Sequence, residues 1–322
     1  MTFKIVSTSP TFGFYVQEPV DYLKAHGCEL KMIPQGKKLS DAELLECASE
    51  SNAMIIAFDK ITDEVIQASP NLKVVAKHGA GVDNIDMAAA TEKGIVVTSA
   101  PGANSDAVAD LTIGLFLALA RQIPFADSSV KAGEWPRIIG TQLNKKTLGI
   151  IGVGQIGKKV ARRAVGFDME VLVCDVVEDG EFAEKTGARY LPLDEVLAKS
   201  DFISMHVPLI DSTRNLIGAR ELGLMKQSAF LVNVARGGVV DEDALLEALN
   251  EKRISGAAAD VFSQEPAKGN PLLEIENLIA TPHMGMYTRE ALIETGMMCV
   301  RNIVDALEGR RPQFLNNPEV FE

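Results

Sequence analysis

Three glycines near the middle of the chain have the spacing of a nucleotide-phosphate turn. Gly152, Gly154 and Gly157 form a Gly-x-Gly-x-x-Gly pattern between an apolar strand and a segment with helical periodicity. Glycines at these positions permit a tight turn, let a pyrophosphate approach the backbone and allow the helix to pack closely. The phosphates would lie at the positive N-terminal end of that helix. The pattern predicts a dinucleotide site, although similar glycines also occur in ordinary β–α turns.

An acidic residue separates these two interpretations. Asp175 lies 18 residues beyond Gly157, at the end of the next apolar strand. A carboxylate at this position can accept hydrogen bonds from both hydroxyls of the adenosine ribose, and it repels a 2′-phosphate. We therefore predict that the chain binds NAD rather than NADP.

Three further segments carry side chains suited to hydride chemistry on a 2-oxo acid. Arg236, Glu265 and His283 each follow a predicted strand in the second half of the chain. Open α/β sheets bind ligands at the carboxyl ends of their strands, so these groups are expected to converge. A guanidinium matches a carboxylate and stabilises alkoxide charge, an imidazole exchanges protons near neutral pH, and a carboxylate beside it orients the ring. We predict that these three residues are catalytic.

Each of the three also has a more ordinary interpretation. An arginine after a strand is commonly a surface charge, a loop histidine is a hydrogen-bonded polar group, and a glutamate before proline is a solvated turn. Their shared position beside the predicted nucleotide site favours the catalytic interpretation. His206 is instead expected to pack at the end of its strand, with Val207 and Pro208 after it close to the adenine.

The first hundred residues contain a candidate turn for an anionic substrate. Lys77, His78, Gly79, Ala80 and Gly81 follow an apolar strand, and the backbone N–H groups of such a turn can cradle a carboxylate. Lys77 and His78 would add local positive charge. The alternative is a tight turn that only leads into the next helix.

Composition excludes several classes of partner. The 322 residues carry 32 Lys and Arg against 44 Asp and Glu, and a net charge of −12 repels nucleic acid and anionic membranes. The four cysteines show no C-x-x-C pair and no metal-ligand spacing with the four histidines, so we expect reduced thiols and no metal site. No signal-peptide pattern opens the chain and no apolar run could span a bilayer, which favours a cytoplasmic protein.

Strands and helices alternate in two series along the chain. Short Val- and Ile-rich strands separated by amphipathic helices predict an α/β fold with two parallel-sheet domains, Rossmann-like or flavodoxin-like, and a cleft between them. A discontinuous substrate-binding domain is expected over residues 1–102 and 285–322. The NAD-binding domain is expected over residues 103–284.

One predicted helix is apolar on nearly all faces. It runs from Ser105 to Gln122 and is expected to end before Pro124, to be buried on all sides, and to serve as a domain connector and subunit contact. The segment from Phe125 to Gly140, which contains Trp135, is expected to be irregular. An arm laid across a partner chain and an intramolecular flap are both consistent with it.

Taken together, these residues resemble a known family, the NAD-dependent D-2-hydroxyacid dehydrogenases. The resemblance extends from about Val74 to Gly309 and is greatest to the D-3-phosphoglycerate dehydrogenases. The motifs shared in the family's order are Gly79-Ala80-Gly81-Val82-Asp83-Asn84, the glycine turn 152–157, Asn233-Val234-Ala235-Arg236-Gly237-Gly238, Asp260-Val261-Phe262 with Glu265-Pro266, and Pro282-His283-x-Gly285.

The resemblance implies functions for further residues. It implies the catalytic roles of Arg236, Glu265 and His283, and it implies that Asp260 holds the nicotinamide carboxamide. It also implies a homodimer, or a tetramer, built around the helix from Ser105 to Gln122 and the arm after it. The additional cofactor-binding residues expected are Gln155, Ile156, Val207, Pro208, Val234, Ala235, Asp260 and Gly285, with Ala80 beside the cofactor.

The chain departs from the family pattern at several positions. Met286 and Tyr287 follow the last motif where phosphoglycerate dehydrogenases have small residues, so the cofactor end of the cleft is expected to be reshaped. Asp110 stands where Glu is usual. Because the sequence ends at Glu322, serine feedback through a regulatory extension is not expected.

Several functions remain open on these observations. The expected substrate pair is 3-phosphoglycerate and 3-phosphohydroxypyruvate, with glyoxylate, hydroxypyruvate or another small anionic 2-oxo acid as the alternative. A different class, the NADH-sensing corepressors that bind peptides, shares the same scaffold. Those proteins carry added tails and a peptide groove that this sequence does not show.

Overall fold

The chain divides into two compact units. The computed structural model describes residues 2–37 and 39–322. One unit is formed by Met1–Asn104 with Tyr287–Glu322, and the other by Ser105–Met286. Both divisions fall two residues later than the expected ranges, which ended at residues 102 and 284.

Strands and helices alternate along most of the chain, as the sequence predicts. The strands are β1 (Lys4–Ser7), β2 (Glu29–Met32), β3 (Ala53–Ile56), β4 (Val74–Lys77), β5 (Val96–Thr98), β6 (Thr147–Ile151), β7 (Glu170–Cys174), β8 (Arg189–Tyr190), β9 (Phe202–Met205), β10 (Phe230–Asn233), β11 (Gly256–Ala259) and β12 (Leu278–Ala280). The α-helices are α1 (Glu18–Ala25), α2 (Asp41–Ser49), α3 (Asp63–Gln67), α4 (Met87–Glu92), α5 (Ser105–Ala120), α6 (Ile123–Lys131), α7 (Gln155–Val165), α8 (Gly180–Thr186), α9 (Leu193–Lys199), α10 (Ala219–Leu224), α11 (Glu242–Asn250) and α12 (Arg289–Leu307).

The unit that contains both chain ends is built on a five-stranded parallel sheet in the order β2-β1-β3-β4-β5. This is the strand order of flavodoxin-like folds. Alternate strand residues point to opposite faces, and both faces are apolar. Ile5 and Ile55 pack with Val300 of α12 on one face, whereas Met54 packs with Ile66 of α3 on the other.

The central unit is built on a seven-stranded parallel sheet in the order β12-β11-β10-β9-β6-β7-β8. Strand β6 lies between β7 and β9. The chain therefore adds strands first on one side of β6, as β7 and β8, and then on the other side, from β9 to β12. Ligands of doubly wound sheets bind at the carboxyl ends of the strands beside such a reversal. The α/β class with two parallel sheets is thus confirmed, and the glycine turn follows the strand at the reversal point.

The apolar helix and the segment after it differ from expectation. Helix α5 ends at Ala120, Gln122 adopts a left-handed φ of 50°, and α6 begins at Ile123 with Pro124 in its first turn. The predicted irregular segment therefore starts as a helix, because proline is well tolerated at a helix N-terminus. Nor is α5 buried on all sides, since Asp106, Asp110 and Gly114 are exposed along one stripe.

All four cysteines are free thiols, with Cys28, Cys47 and Cys299 buried and Cys174 half-buried. No cluster of three or more His, Cys, Asp and Glu side chains arranged for a metal ion occurs within residues 2–37 and 39–322. Among the helices of this described part, none alone is long and apolar enough to cross a membrane. Only α5 and α6 taken together, across a 60° bend, meet that criterion of length and composition.

Candidate active site

The glycine turn has the geometry that its spacing predicts. Gly152 has a φ of 95°. A Cβ there would lie 2.7 Å from the carbonyl carbon of His206, the residue that follows β9. A Cβ on Gly157 would lie 2.2 Å from the carbonyl oxygen of Gly152, so this glycine brings α7 against the turn. A Cβ on Gly154 would meet nothing within 4 Å.

The start of α7 is open to an anion. Gly154 is the N-cap residue and supplies no side-chain hydrogen bond to the first turn, and both it and Gln155 are exposed. The first N–H groups of a helix point outward at its positive end, where a phosphate is favoured. Ile156 is half-buried on the same turn. These residues therefore fit the pyrophosphate of a dinucleotide.

Asp175 follows β7 and is half-buried beside the turn. Its Oδ2 accepts a hydrogen bond from the Val153 N–H at 2.5 Å, and its Oδ1 accepts one from the Val177 N–H at 3.2 Å. Each carboxylate oxygen has a second lone pair, so the group can still accept from ribose hydroxyls. The glycine turn thus orients the carboxylate that is predicted to bind the adenosine ribose.

His206 packs at the end of β9, as the sequence predicts. Its Nε2 lies 3.1 Å from the Ser204 hydroxyl, its Nδ1 is buried without a hydrogen-bond partner, and burial lowers its pKa to about 3. A Cβ on Gly152 would lie 2.9 Å from a methyl group of Val207, which places Val207 beside the glycine turn. Pro208 is exposed, and its carbonyl accepts a hydrogen bond from the Thr213 hydroxyl at 2.5 Å.

His283 and Glu265 form a hydrogen-bonded pair after β12 and β11. Their Nδ1 and Oε2 atoms are 2.7 Å apart, and the side chains are 33% and 31% exposed. The Phe262 N–H donates to the other carboxylate oxygen of Glu265 at 3.1 Å. Burial alone would raise the pKa of Glu265. The hydrogen bond and charge of His283, the Phe262 N–H and the charge of Arg236 outweigh burial and hold the pKa of Glu265 below its usual value.

Arg236 is half-buried on a loop that is held against the loop of Glu265. Its guanidinium donates to the Ala235 carbonyl at 2.7 Å. A Cβ on Gly237 would lie 2.0 Å from the carbonyl carbon and oxygen of Phe262, so only glycine allows these two loops to approach. The backbone directly after Arg236 is thus in contact with the backbone of the loop that carries Glu265.

Asp260 supports the segment that carries His283. It is 2% exposed, and its carboxylate accepts hydrogen bonds from the Thr281 hydroxyl at 2.6 Å and from the Met284 and Gly285 N–H groups, both at 2.9 Å. These bonds wrap the segment around the carboxylate while His283 adopts a φ of 52°. The N–H of Gly285 is therefore engaged by Asp260.

Two expected cofactor residues turn their side chains into the core. Val234 and Ala235 are buried, the first in the cluster around α5 and the second in the cluster around α11. Both residues directly follow β10, so their backbone lies at the carboxyl-terminal edge of the sheet. Their assignment to the cofactor site stays a prediction.

The candidate substrate turn belongs to the other unit and differs from expectation. His78 is 3% exposed, its Nδ1 lies 3.1 Å from the Ser9 hydroxyl, and burial followed by the nearby charge of Lys77 lowers its pKa to about 4. It is therefore neutral at pH 7, and the expectation that it supplies positive charge is wrong. The ammonium of Lys77 donates to the Ala57 carbonyl and, at 2.6 Å, to the Asn84 side chain.

The rest of that turn is more accessible. Ala80 is exposed and Gly81 is half-buried, whereas Gly79 is buried and its carbonyl accepts a hydrogen bond from the Ala100 N–H at 2.8 Å. Ala80 and Gly81 are therefore the accessible part of this turn.

Sequence reasoning missed three residues that hold this site together. Asn233 is buried, donates to the Arg236 carbonyl at 3.0 Å and accepts from the Ala235 N–H at 3.1 Å. Thr281 donates to Asp260, and Glu242 binds the loop that carries Glu265. Asn233 begins one of the shared motifs and Thr281 directly precedes another, but polar side chains at strand ends do not reveal their partners.

Comparison with known proteins assigns the family. The model of the D-isomer specific 2-hydroxyacid dehydrogenase NAD-binding domain matches residues 113–285. The chain is 45% identical over 287 residues to a D-3-phosphoglycerate dehydrogenase of Methanocaldococcus jannaschii, covering 88% of this chain and 55% of that protein. It is 41% identical to a glyoxylate reductase of Thermococcus litoralis, covering 86% of this chain and 87% of that protein.

Solved structures agree with this assignment. The TT0316 protein of Thermus thermophilus superposes with a TM-score of 0.90 at 34% identity, covering 97% of this chain and 99% of that one. The chain belongs to the D-isomer specific 2-hydroxyacid dehydrogenase family and contains that family's NAD-binding domain. It spans about half the length of the phosphoglycerate dehydrogenases that it matches.

Proposed function

We propose that this protein is an NAD-dependent dehydrogenase that transfers a hydride between the nicotinamide and a small D-2-hydroxy or 2-oxo acid. The observation that carries the proposal is the 2.7 Å contact between His283 and Glu265, on the same sheet edge as the glycine turn. When bound, NAD supplies the hydride donor or acceptor. The protein must supply a proton and a group that stabilises charge.

The described side chains suit these two tasks. A carboxylate can only accept, so Glu265 fixes the proton on Nδ1 of His283 and leaves Nε2 to exchange a proton with the substrate oxygen. Arg236 offers a planar fork for the substrate carboxylate and positive charge for the developing alkoxide. Asp260 holds the His283 segment in place through three hydrogen bonds, and it is the residue that would hold the nicotinamide carboxamide.

Two substrate pairs are proposed for this chemistry. Similarity to phosphoglycerate dehydrogenases supports 3-phosphoglycerate and 3-phosphohydroxypyruvate. Glyoxylate or hydroxypyruvate is supported by the relative that matches along most of its length, a glyoxylate reductase.

The test is NADH oxidation followed with phosphohydroxypyruvate, hydroxypyruvate, glyoxylate and pyruvate. Turnover on at least one of them is expected, and the ranking decides between the two substrate pairs. NADH binding without turnover on any 2-oxo acid would overturn the enzyme proposal and favour the corepressor-like alternative.

The variant His283→Ala tests the assigned acid directly. We expect kcat to fall by about 10²- to 10⁴-fold, because general acid catalysis typically contributes that much. NADH affinity, measured by fluorescence, should be retained. The matched control is His26→Ala, because His26 is an exposed histidine that stacks on Tyr22 in the other unit.

We also propose that the protein forms a homodimer, with a tetramer as the alternative. Helix α6 and the segment after it leave large apolar side chains in solvent, with Trp135 87% and Ile139 88% exposed. Large apolar side chains left in solvent along one segment are typical of a protein interface. Sedimentation of Trp135→Glu should show dissociation, and Val176→Glu, at an exposed valine on the β7–α8 connection, is the control.

A further inference from the structure

One carboxylate outside the catalytic group binds both ends of the loop that carries Glu265. Glu242 is the first residue of α11. Its Oε1 accepts a hydrogen bond from the Ser263 N–H at 2.5 Å, and its Oε2 accepts one from the Asn270 side-chain amide at 2.6 Å. Asn270 uses its own side-chain oxygen to accept from the Leu272 N–H at 3.0 Å. The loop from residue 263 to residue 270 is thus tied at its two ends to one side chain.

The peptide group held by Glu242 is also the junction of the catalytic loops. The Phe262 N–H donates to Glu265, and the Phe262 carbonyl abuts Gly237, the residue after Arg236. The next N–H along the chain, that of Ser263, donates its hydrogen bond to Glu242. A shift of this peptide would therefore move Glu265 and disturb the approach of the Arg236 loop.

The loop needs such an anchor because it is mostly in solvent. Ser263, Gln264, Pro266, Lys268 and Gly269 are all exposed. Loops with few buried contacts open readily, whereas a catalytic pair must keep its geometry to within fractions of an ångström. The N-terminus of α11 favours a carboxylate at Glu242, and Asp241 separately caps the helix through the Ala244 N–H at 3.0 Å.

We propose that Glu242 is a positioning residue that sets the place of Glu265 relative to His283 and Arg236. The proposal rests on the dehydrogenase function proposed above. Glu242 itself is assigned no contact with substrate or cofactor. It acts by holding the Ser263 peptide on one side and Asn270 on the other.

The test reverses the polarity of one hydrogen bond. In Glu242→Gln, the new amide group would face the amide of Asn270, so that two donors meet. In Asn270→Asp, two carboxylates would meet across the 2.6 Å contact. Each single variant is expected to lower kcat about tenfold or more, as small displacements of catalytic groups do. The double variant Glu242→Gln with Asn270→Asp restores a donor–acceptor pair and should return kcat to within about threefold of the original.

The pH profile separates positioning from general loss of structure. Because contacts with His283 and Phe262 hold the pKa of Glu265 low, loosening the loop should move the acidic limb of kcat/KM to higher pH in each single variant. NADH affinity should not change. Asp243→Asn, one residue along the same helix turn and exposed, is the matched control and should keep both kcat and the profile.

Two results would overturn the proposal, and both differ from the result that would contradict the dehydrogenase function. Single variants with unchanged kcat and pH profile, or a double variant no better than the singles, would remove Glu242 from this role. Absence of turnover in the original protein would instead contradict the dehydrogenase. In that case amide hydrogen exchange at Ser263, which should accelerate in Glu242→Ala, still tests whether Glu242 holds the loop.

Discussion

Glu265 is the residue at which opposing electrostatic effects meet most clearly. Burial raises its pKa, whereas the hydrogen bond and charge of His283, the Phe262 N–H and the charge of Arg236 lower it, and the lowering effects prevail. The carboxylate is therefore ionised across the neutral range, as a group that orients an imidazole and stabilises its cation must be.

This balance predicts a specific pH dependence. In the original protein, kcat/KM should fall as the pH drops through the lowered pKa of Glu265, because a protonated carboxyl no longer supports His283. Glu265→Gln should lower kcat by about 10- to 100-fold and abolish that acidic limb. Rates measured from pH 4 to pH 9 check it, and an unchanged acidic limb would contradict the assignment.

Asp175 carries the prediction about the cofactor. Removing its charge while keeping its shape, in Asp175→Asn, should relieve repulsion of a 2′-phosphate and keep one acceptor for the Val153 N–H. The ratio of kcat/KM for NADPH to that for NADH should rise about tenfold or more, since one well-placed charge is typically worth more than 1 kcal/mol. Glu178→Gln, an exposed carboxylate on the same connection, should leave the ratio unchanged.

At the scale of elements, glycines bring neighbouring loops into contact at the edge of the sheet. Gly157 brings α7 to the turn after β6, and Gly237 brings the loop after β10 to the loop after β11. In both cases a Cβ would overlap backbone atoms, which cannot move aside as a flexible side chain can. The positions of Arg236 and Glu265, the proposed catalytic groups on these loops, therefore depend on contacts made by residues without side chains.

Gly237→Ala tests this dependence. The added Cβ would lie 2.0 Å from Phe262 backbone atoms, so the loops must separate, at a cost of about 1–3 kcal/mol. We expect a lower melting temperature. We also expect a loss of kcat at temperatures where the variant is still folded, because Arg236 and Glu265 are displaced together. Gly180→Ala is the control, since a Cβ there meets nothing within 4 Å and the residue begins α8. Equal activity in the two variants would contradict the predicted dependence.

At the scale of the whole molecule, each unit contains one histidine that is buried in its neutral form. Burial lowers the pKa of His78 to about 4 and that of His206 to about 3. Unfolding returns each group to an ordinary pKa near ~6.5, so the unfolded chain binds more protons below that pH. Stability from these groups is therefore complete above pH 6.5 and is lost as the pH falls toward 4.

The acid stability of the protein follows from this linkage. Between pH 7 and pH 4, the neutral state of His78 should account for a loss on the order of 3 kcal/mol in the unfolding free energy of its unit. Thermal unfolding at pH 7 and pH 4.5 should show a smaller decrease for His78→Gln than for the original chain. His26→Gln, at an exposed histidine, should behave as the original chain does.

Much of the fold could be predicted because its signals are local. The run of apolar residues from Val74 to Ala76 and the Gly152 turn indicate a strand and a β–α connection from nearest neighbours alone. Pro124 was interpreted only as the end of a helix, although a proline is equally suited to the first turn of the next one. The start of α6 at this point depends on the left-handed conformation of Gln122, which the residue type does not reveal.

The candidate site divides in the same way between local and distant causes. From the amino-acid sequence alone came the residue types and their positions after successive strands, because parallel strands must end at a common edge: Arg236, Glu265, His283 and Asp175 were all found there. Tertiary structure alone decided that His78 is neutral, that Gly237 meets Phe262, and that Asp260 and Glu242 hold the loops. Charge state and hydrogen-bond partners depend on which distant backbone groups arrive beside a side chain, and only the packed chain determines that.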